Sequence, residues 1–181
     1  MTLTPYQLIN DMLDLARFRV KPLPEYQYPL WQIMLVVTLM GIFSAAAATD
    51  IDAPVPARIG FFVMLEWVEL LLMNWFFNWW MRQGDNWRGD GDLLPLFVAA
   101  SGVNLLTPLL SWFTRPLVDV LAVGLSAYSV AIVIHALTLS TGVRRTHVIG
   151  GVLLFLPMAI AGYLVVATFA VQAGWISLPA K

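Results

Sequence analysis

Apolar residues run in long stretches along this chain, and each stretch is closed by a few polar or turn-forming positions. Five of them reach the roughly 20 residues that the hydrocarbon core of a bilayer requires of a helix: 30–48, 59–80, 93–113, 117–139 and 147–172. The connections 49–58, 81–92, 114–116 and 140–146, and the tail 173–181, are too short to fold alone. The pattern predicts an all-α, polytopic integral membrane protein in which residues 30–172 form a bundle of five transmembrane helices.

Residues 1–29 read differently. Thr4 can cap a helix, Pro5 suits the first helical position, and Gln7 completes a capping box. Polar residues at Gln7, Asn10, Asp11, Asp14, Arg17 and Lys21 leave Leu8, Met12 and Leu15 as the apolar face, flanked by Ile9, Leu13 and Phe18. This predicts an amphipathic helix lying along the membrane, with Arg17, Arg19 and Lys21 at its C-terminal end as an anchor to anionic headgroups. A docking site for a partner protein is the alternative use of the same face. Pro22, Pro24 and Pro29 make the following segment a linker rather than a continuation into the first span.

Composition narrows the class. Hydrophobic residues make up 60% of the 181 and charged residues only 12%, about half the charged share of a typical soluble domain; the mean hydropathy is +0.77. With 8 Trp, 10 Phe and 5 Tyr, disorder is excluded. The absence of cysteine excludes disulfides, thiolate metal sites, iron–sulfur clusters and cysteine nucleophiles, and a net charge of −1 gives no footprint for nucleic acid. With the N-terminus in the cytoplasm, Arg17, Arg19, Lys21, Arg82, Arg88, Arg144 and Arg145 lie inside and Arg58, Arg115 and Lys181 outside. That seven-to-three bias obeys the positive-inside rule and places the C-terminus outside, which is periplasmic for a bacterial inner membrane. Trp75, Trp79, Trp80 and Trp87 suit an interfacial belt. The small residues from Ser44 to Ala48 resemble a signal-peptide cleavage site, but the polar segment before them is far too long for an n-region, and no cleavage is expected.

Ionisable residues inside a membrane are the first functional suspects. Glu66 and Glu69 stand three residues apart on one face of the second span, with Glu69 near the midplane. Together with Asn104, Pro108 and His135 they form the candidate intramembrane polar site. Two uses are open: a proton- or cation-coupled site in which the pair shares a proton, or carboxyls that bond to Ser101, Asn104 or Thr107 of span three and hold helices together. Ala99, Ala100 and Gly102 permit close packing in that span, and Pro108 is read as an ordinary kink. Gly124, Ala127, Ala131 and His135 share one face of span four, which is read as a packing face.

Other chemistry is thin. His135 and His147 have no second pair of ligands, short of what a haem or zinc site needs. The loop Gln83 to Asp92 lacks the spacing and closing Glu of a Ca²⁺ loop, and turn chemistry with Asp92 capping span three accounts for it. There is no Walker loop, nucleophile elbow or metalloprotease helix. No metal, cofactor or catalytic residue is expected, and the protein is read as non-enzymatic.

The loop Gly89-Asp-Gly-Asp92, the stretch Leu96-Phe-Val-Ala-Ala-Ser-Gly-Val-Asn-Leu-Leu-Thr-Pro108 and the run from Tyr128 to Arg145 into the last span form a familiar arrangement. Across roughly residues 30–172 the chain resembles the Yip-domain family, the Ypt/Rab-interacting-protein-like five-span membrane proteins, in its bacterial branch. Val103 and Asn104 stand where the family often has an aromatic residue before the span-three proline. The resemblance implies a helical bundle acting as a non-enzymatic scaffold or assembly protein, alone or as a subunit of a membrane complex. Its expected partners are the lipid bilayer and other membrane proteins or further copies of the chain. The competing function is a small proton- or cation-coupled transporter or channel built on Glu66 and Glu69.

Overall fold

The computed structural model describes residues 5–48, 51, 53–89 and 91–176. Its elements are α1 (Pro5–Ala16), α2 (Leu30–Ala47), α3 (Val55–Met81), α4 (Leu94–Ala100), a 3₁₀ segment (Ser101–Trp112), α5 (Arg115–Thr141) and α6 (Arg145–Gln172), with a short 3₁₀ turn at Leu23–Glu25. No strand occurs among the described residues. Proline sets the helix starts. Pro29 and Pro54 lie extended immediately before α2 and α3, while Pro56, Pro95 and Pro116 occupy first turns, where an amide would have no intrahelical acceptor. The expected Thr4 cap and the tail beyond residue 176 lie outside the described residues.

Four helices are long and apolar enough to cross a membrane: Leu30–Ala47, Val55–Met81, Pro116–Thr141 and Arg145–Gln172. They answer four of the five predicted spans. Their outer surfaces are apolar and uncovered by the chain itself, with Val120 68%, Val123 72%, Leu153 61% and Val165 69% exposed. Such surfaces belong in lipid, and the protein is a helical, membrane-embedded one.

The stretch 93–113 departs from the expected continuous α-helix. Only Leu94–Ala100 is α-helical, and Ser101–Trp112 winds as a 3₁₀ helix. Two local features explain the change. The Ser101 hydroxyl donates to the Phe97 carbonyl (2.8 Å), offering the backbone acceptor an alternative partner. Pro108 has no amide to give to residue 104, and its ring would clash there in an α-helix. The segment still runs the length of the bundle. Asp92 at its start accepts from Asn78 near the end of α3 (3.1 Å), and its far end leads into α5, whose other end returns to this loop through the Arg88 amide and the Thr141 carbonyl (2.9 Å).

The helices form a ring: α2 packs on α3, α3 on α6, α6 on α5, and both α5 and α2 on the 3₁₀ segment. α2 and α3 approach closely at Gly41, where a Cβ would fall 2.5 Å from Val63 Cα. Phe76, Phe77, Phe97 and Phe155 fill one end of the ring, with centroids 5.6 Å apart for Phe77–Phe97 and 5.8 Å for Phe77–Phe155. Above this aromatic floor the 3₁₀ segment faces α3 across a gap.

α1 sits otherwise than its pattern suggested. Leu8 and Leu15 are buried in the protein core, and Met12 packs against Gly102 of the 3₁₀ segment. The face expected to meet lipid therefore meets the bundle. Asp11, expected among the solvated residues, is 1% exposed. Lys21 folds back to it with Nζ 2.5 Å from Oδ1, and the Tyr28 hydroxyl donates to Oδ2 (2.7 Å). Lys21 is thus half of an internal ion pair and not a free headgroup anchor, whereas Arg17 and Arg19 are exposed as an anchor requires.

Candidate functional site

The gap inside the ring is lined by acidic and neutral polar groups. Glu66 and Glu69 project from α3 into a cavity of about 150 Å³ with Ser101 and Asn104 opposite, and with Val37, Met40 and Leu70 among the apolar walls. A second cavity, about 210 Å³, shares Glu69, Met73, Ser101 and Asn104 with the first and adds Ser129 of α5. A third, about 60 Å³, reaches Glu69 from the side of Gly162 and Tyr163. Glu69 is the one residue common to all three. The two larger spaces can hold several waters or a small ion, yet fall below the roughly 300 Å³ at which pockets for drug-sized organic ligands begin.

The two carboxyls are treated differently. The Ser44 hydroxyl of α2 donates to Glu66 Oε1 (2.9 Å). Glu69 opens into the cavities and, like Asn104, has no hydrogen-bonding partner among the described residues. Among the described residues, no Lys or Arg lines any of the three spaces. The site therefore offers two carboxylates, one amide and three hydroxyls, with no cation supplied by the described residues of its walls.

Of the five residues singled out in sequence, the structure brings together Glu66, Glu69 and Asn104. Pro108 shapes the 3₁₀ wall without lining the cavities. His135 lies apart, at the seam between α5 and α1, where its Nε2 is 3.2 Å from the Phe18 carbonyl. The face it was expected to share is not packed: Gly124 has nothing within 4 Å, and Ala127 is exposed. Glu66 also pairs across α2 instead of with span three. Its partner, Ser44, was visible in sequence only as one of a run of small residues.

The His135 seam is where α1 is tied down. The α1 C-terminus closes with Arg19 N–H on the Asp14 carbonyl (2.8 Å) and Phe18 N–H on the Leu15 carbonyl (2.9 Å). This is the Schellman pattern, with Phe18 at the left-handed position (φ 58°) that glycine usually holds. The strain is offset by the Phe18 ring, which packs edge-on against Tyr128 (5.5 Å) and His135 (5.3 Å). The Tyr128 hydroxyl donates to the Ala16 carbonyl, so α5 caps carbonyls that α1 leaves open.

His147 is likewise occupied. It stacks on Trp80 at 4.6 Å and exchanges two hydrogen bonds with it: Trp80 Nε1–H to the His147 carbonyl and His147 Nε2–H to the Trp80 carbonyl, both 3.0 Å. Trp75 and Trp79, by contrast, are exposed on α3 as an interfacial belt requires. Asp92 Oδ1 accepts the Leu94 amide (3.2 Å) at the start of α4, where Leu93 and not Asp92 holds the N-cap position.

No family model, no curated protein and no solved structure matches this chain.

Proposed function

We propose that the chain is a five-crossing protein of a bacterial-type plasma membrane, N-terminus inside and C-terminus outside, whose central cavity binds a proton or a small monovalent cation as a coupled carrier or channel does. α4 and the 3₁₀ segment supply the fifth crossing. At 1.5 and 2.0 Å per residue they extend for about 34 Å, enough for a hydrocarbon core of about 30 Å. The seven-to-three distribution of Lys and Arg supports the orientation.

One observation carries the functional reading: among the described residues, Glu69 opens into three adjoining cavities with neither a partner nor a basic residue on the walls. An ionised carboxylate away from bulk water has to be matched, and here the match must come from outside the chain. The test is flux. Proteoliposomes of the wild type carry a proton, Na⁺ or K⁺ current above empty liposomes, and Glu69→Gln abolishes it while melting at nearly the wild-type temperature. No wild-type flux, with a melting temperature indifferent to Na⁺, K⁺ and pH between 5 and 8, would reject the carrier.

The second reading, a scaffold or assembly protein of Yip-domain type, has its own support in α5. Gly124 and Ala127 lie open beside the exposed Val120 and Val123, a surface on which another transmembrane helix can approach closely. Native mass spectrometry after gentle purification reports that association directly.

A further inference from the structure

We infer that α1 is a three-sided helix whose second apolar stripe, Tyr6, Ile9 and Leu13, is a lipid-binding surface that meets acyl chains below the headgroups. These residues are 72%, 55% and 50% exposed, and Phe18 beyond them is 41% exposed. They recur at three- and four-residue steps, so they form one continuous face, and Arg17 follows Leu13 by four residues on the same line. The helix thus buries Leu8, Asp11 and Leu15 in protein, turns Ile9 and Leu13 outward, and keeps Asn10, Arg17 and Arg19 at the surface.

The depth at which α1 docks identifies the occupant. α3 and α5 have 27 residues each and α6 has 28, about 40 Å of helix against a hydrocarbon core of about 30 Å. Their ends therefore stand in the headgroup layer. α1 is fixed to α5 at His135 and Tyr128, six and 13 residues before the helix end at Thr141, which is about 9 and 20 Å along the axis. A helix held across that level, beside a wall that is itself lipid-facing, meets acyl chains with its outward apolar stripe. Arg17 and Arg19 at its end reach phosphates. Protein contacts hold the helix in place, and lipid completes its burial.

The chain contains no cysteine, so single nitroxide labels report cleanly on this surface. Ile9→Cys, Leu13→Cys and Arg17→Cys replace side chains that are exposed in the protein. Each labelled full-length variant is placed in vesicles of phosphatidylethanolamine and phosphatidylglycerol, and collision rates with oxygen, which partitions into acyl chains, and with a water-soluble nickel chelate are compared. Oxygen exceeds nickel at positions 9 and 13, and the ratio reverses at position 17. Nickel exceeding oxygen at all three positions would place the stripe in water and overturn the inference. Labels at 9 and 13 shielded from both reagents would overturn it in favour of a second protein chain on this face. Neither result depends on whether the cavity carries flux.

Discussion

Asp11 and Glu69 are both carboxylates in an apolar protein, and the fold handles them in opposite ways. Asp11 is 1% exposed and matched on both oxygens, by Lys21 at 2.5 Å and Tyr28 at 2.7 Å. Glu69 has no partner among the described residues and faces open space. A buried charge that serves the fold is paired, because an unpaired one costs several kcal/mol. A carboxylate left unmatched beside a cavity is available to something that arrives. One carboxylate in this small chain is a fastening, and the other is, on the proposed function, the receptor for a cation.

Removing the fastening has the largest expected effect. Asp11→Ala strands the Lys21 amine and the Tyr28 hydroxyl, and thermal unfolding in detergent should reveal a loss of about 2–4 kcal/mol. The range lies low for a buried pair because the Lys21 side chain keeps 37% of its surface in solvent. Next comes the seat of α1. A Cβ at position 102 would fall 2.5 Å from Met12 Cγ and 2.7 Å from Met12 Cβ, so Gly102→Ala should destabilise by about 1–3 kcal/mol, and adding Met12→Ala, which keeps the Cβ, should recover only a minor part of that loss.

Alkaline pH loosens the same fastening without mutation. The hydrogen bond to Asp11 is the main cause holding the Lys21 amine above its ordinary 10.5, and burial first, then the Asp11 bond, pushes the Tyr28 hydroxyl above 10.0. Both values are raised on folding, so their stabilisation is complete below the unfolded values and is lost as pH climbs through the folded ones. The gap in melting temperature between wild type and Asp11→Ala should narrow above about pH 10. The smallest stability effect belongs to Glu69→Gln, within about 0.5 kcal/mol, since no contact is lost. A drop as large as that of Asp11→Ala would show that Glu69 is a second fastening.

What could be read from sequence follows the strength of each physical signal. Runs of about 20 apolar residues mark membrane helices because nothing else tolerates them, and α2, α5 and α6 begin and end within two residues of the predicted spans, as do the outer ends of the broken third one. The break inside it was out of reach. Ser101, Asn104 and Thr107 stand three apart, but neighbours on an α-helical face show that spacing too, and Pro108 announces only a kink. The orientation of α1 was hidden for a related reason: apolar residues cover half its circumference, at Leu8, Met12 and Leu15 on one side and Tyr6, Ile9 and Leu13 on the other. Which half turns inward is decided with Asp11, whose partners lie 10 and 17 residues away. The Glu66–Glu69 pair was visible because charge is rare in such a chain, whereas the link to Ser44 spans 22 residues and leaves no local pattern.

The 3₁₀ winding of Ser101–Trp112 has a consequence for the cavity wall. Residues three apart eclipse one another in such a helix, and the polar residues here, Ser101, Asn104 and Thr107, follow that period. They stack as a single column with rungs about 6 Å apart, parallel to the axis of the bundle. Wound as an α-helix, the same three would spiral away from one another by about 60° at each step, and Thr107 would point about 120° from Ser101. Ser101 and Asn104 are the rungs that line the cavities, so the wall opposite Glu69 carries two stacked polar groups in place of an isolated amide, and Thr107 continues the column beyond them.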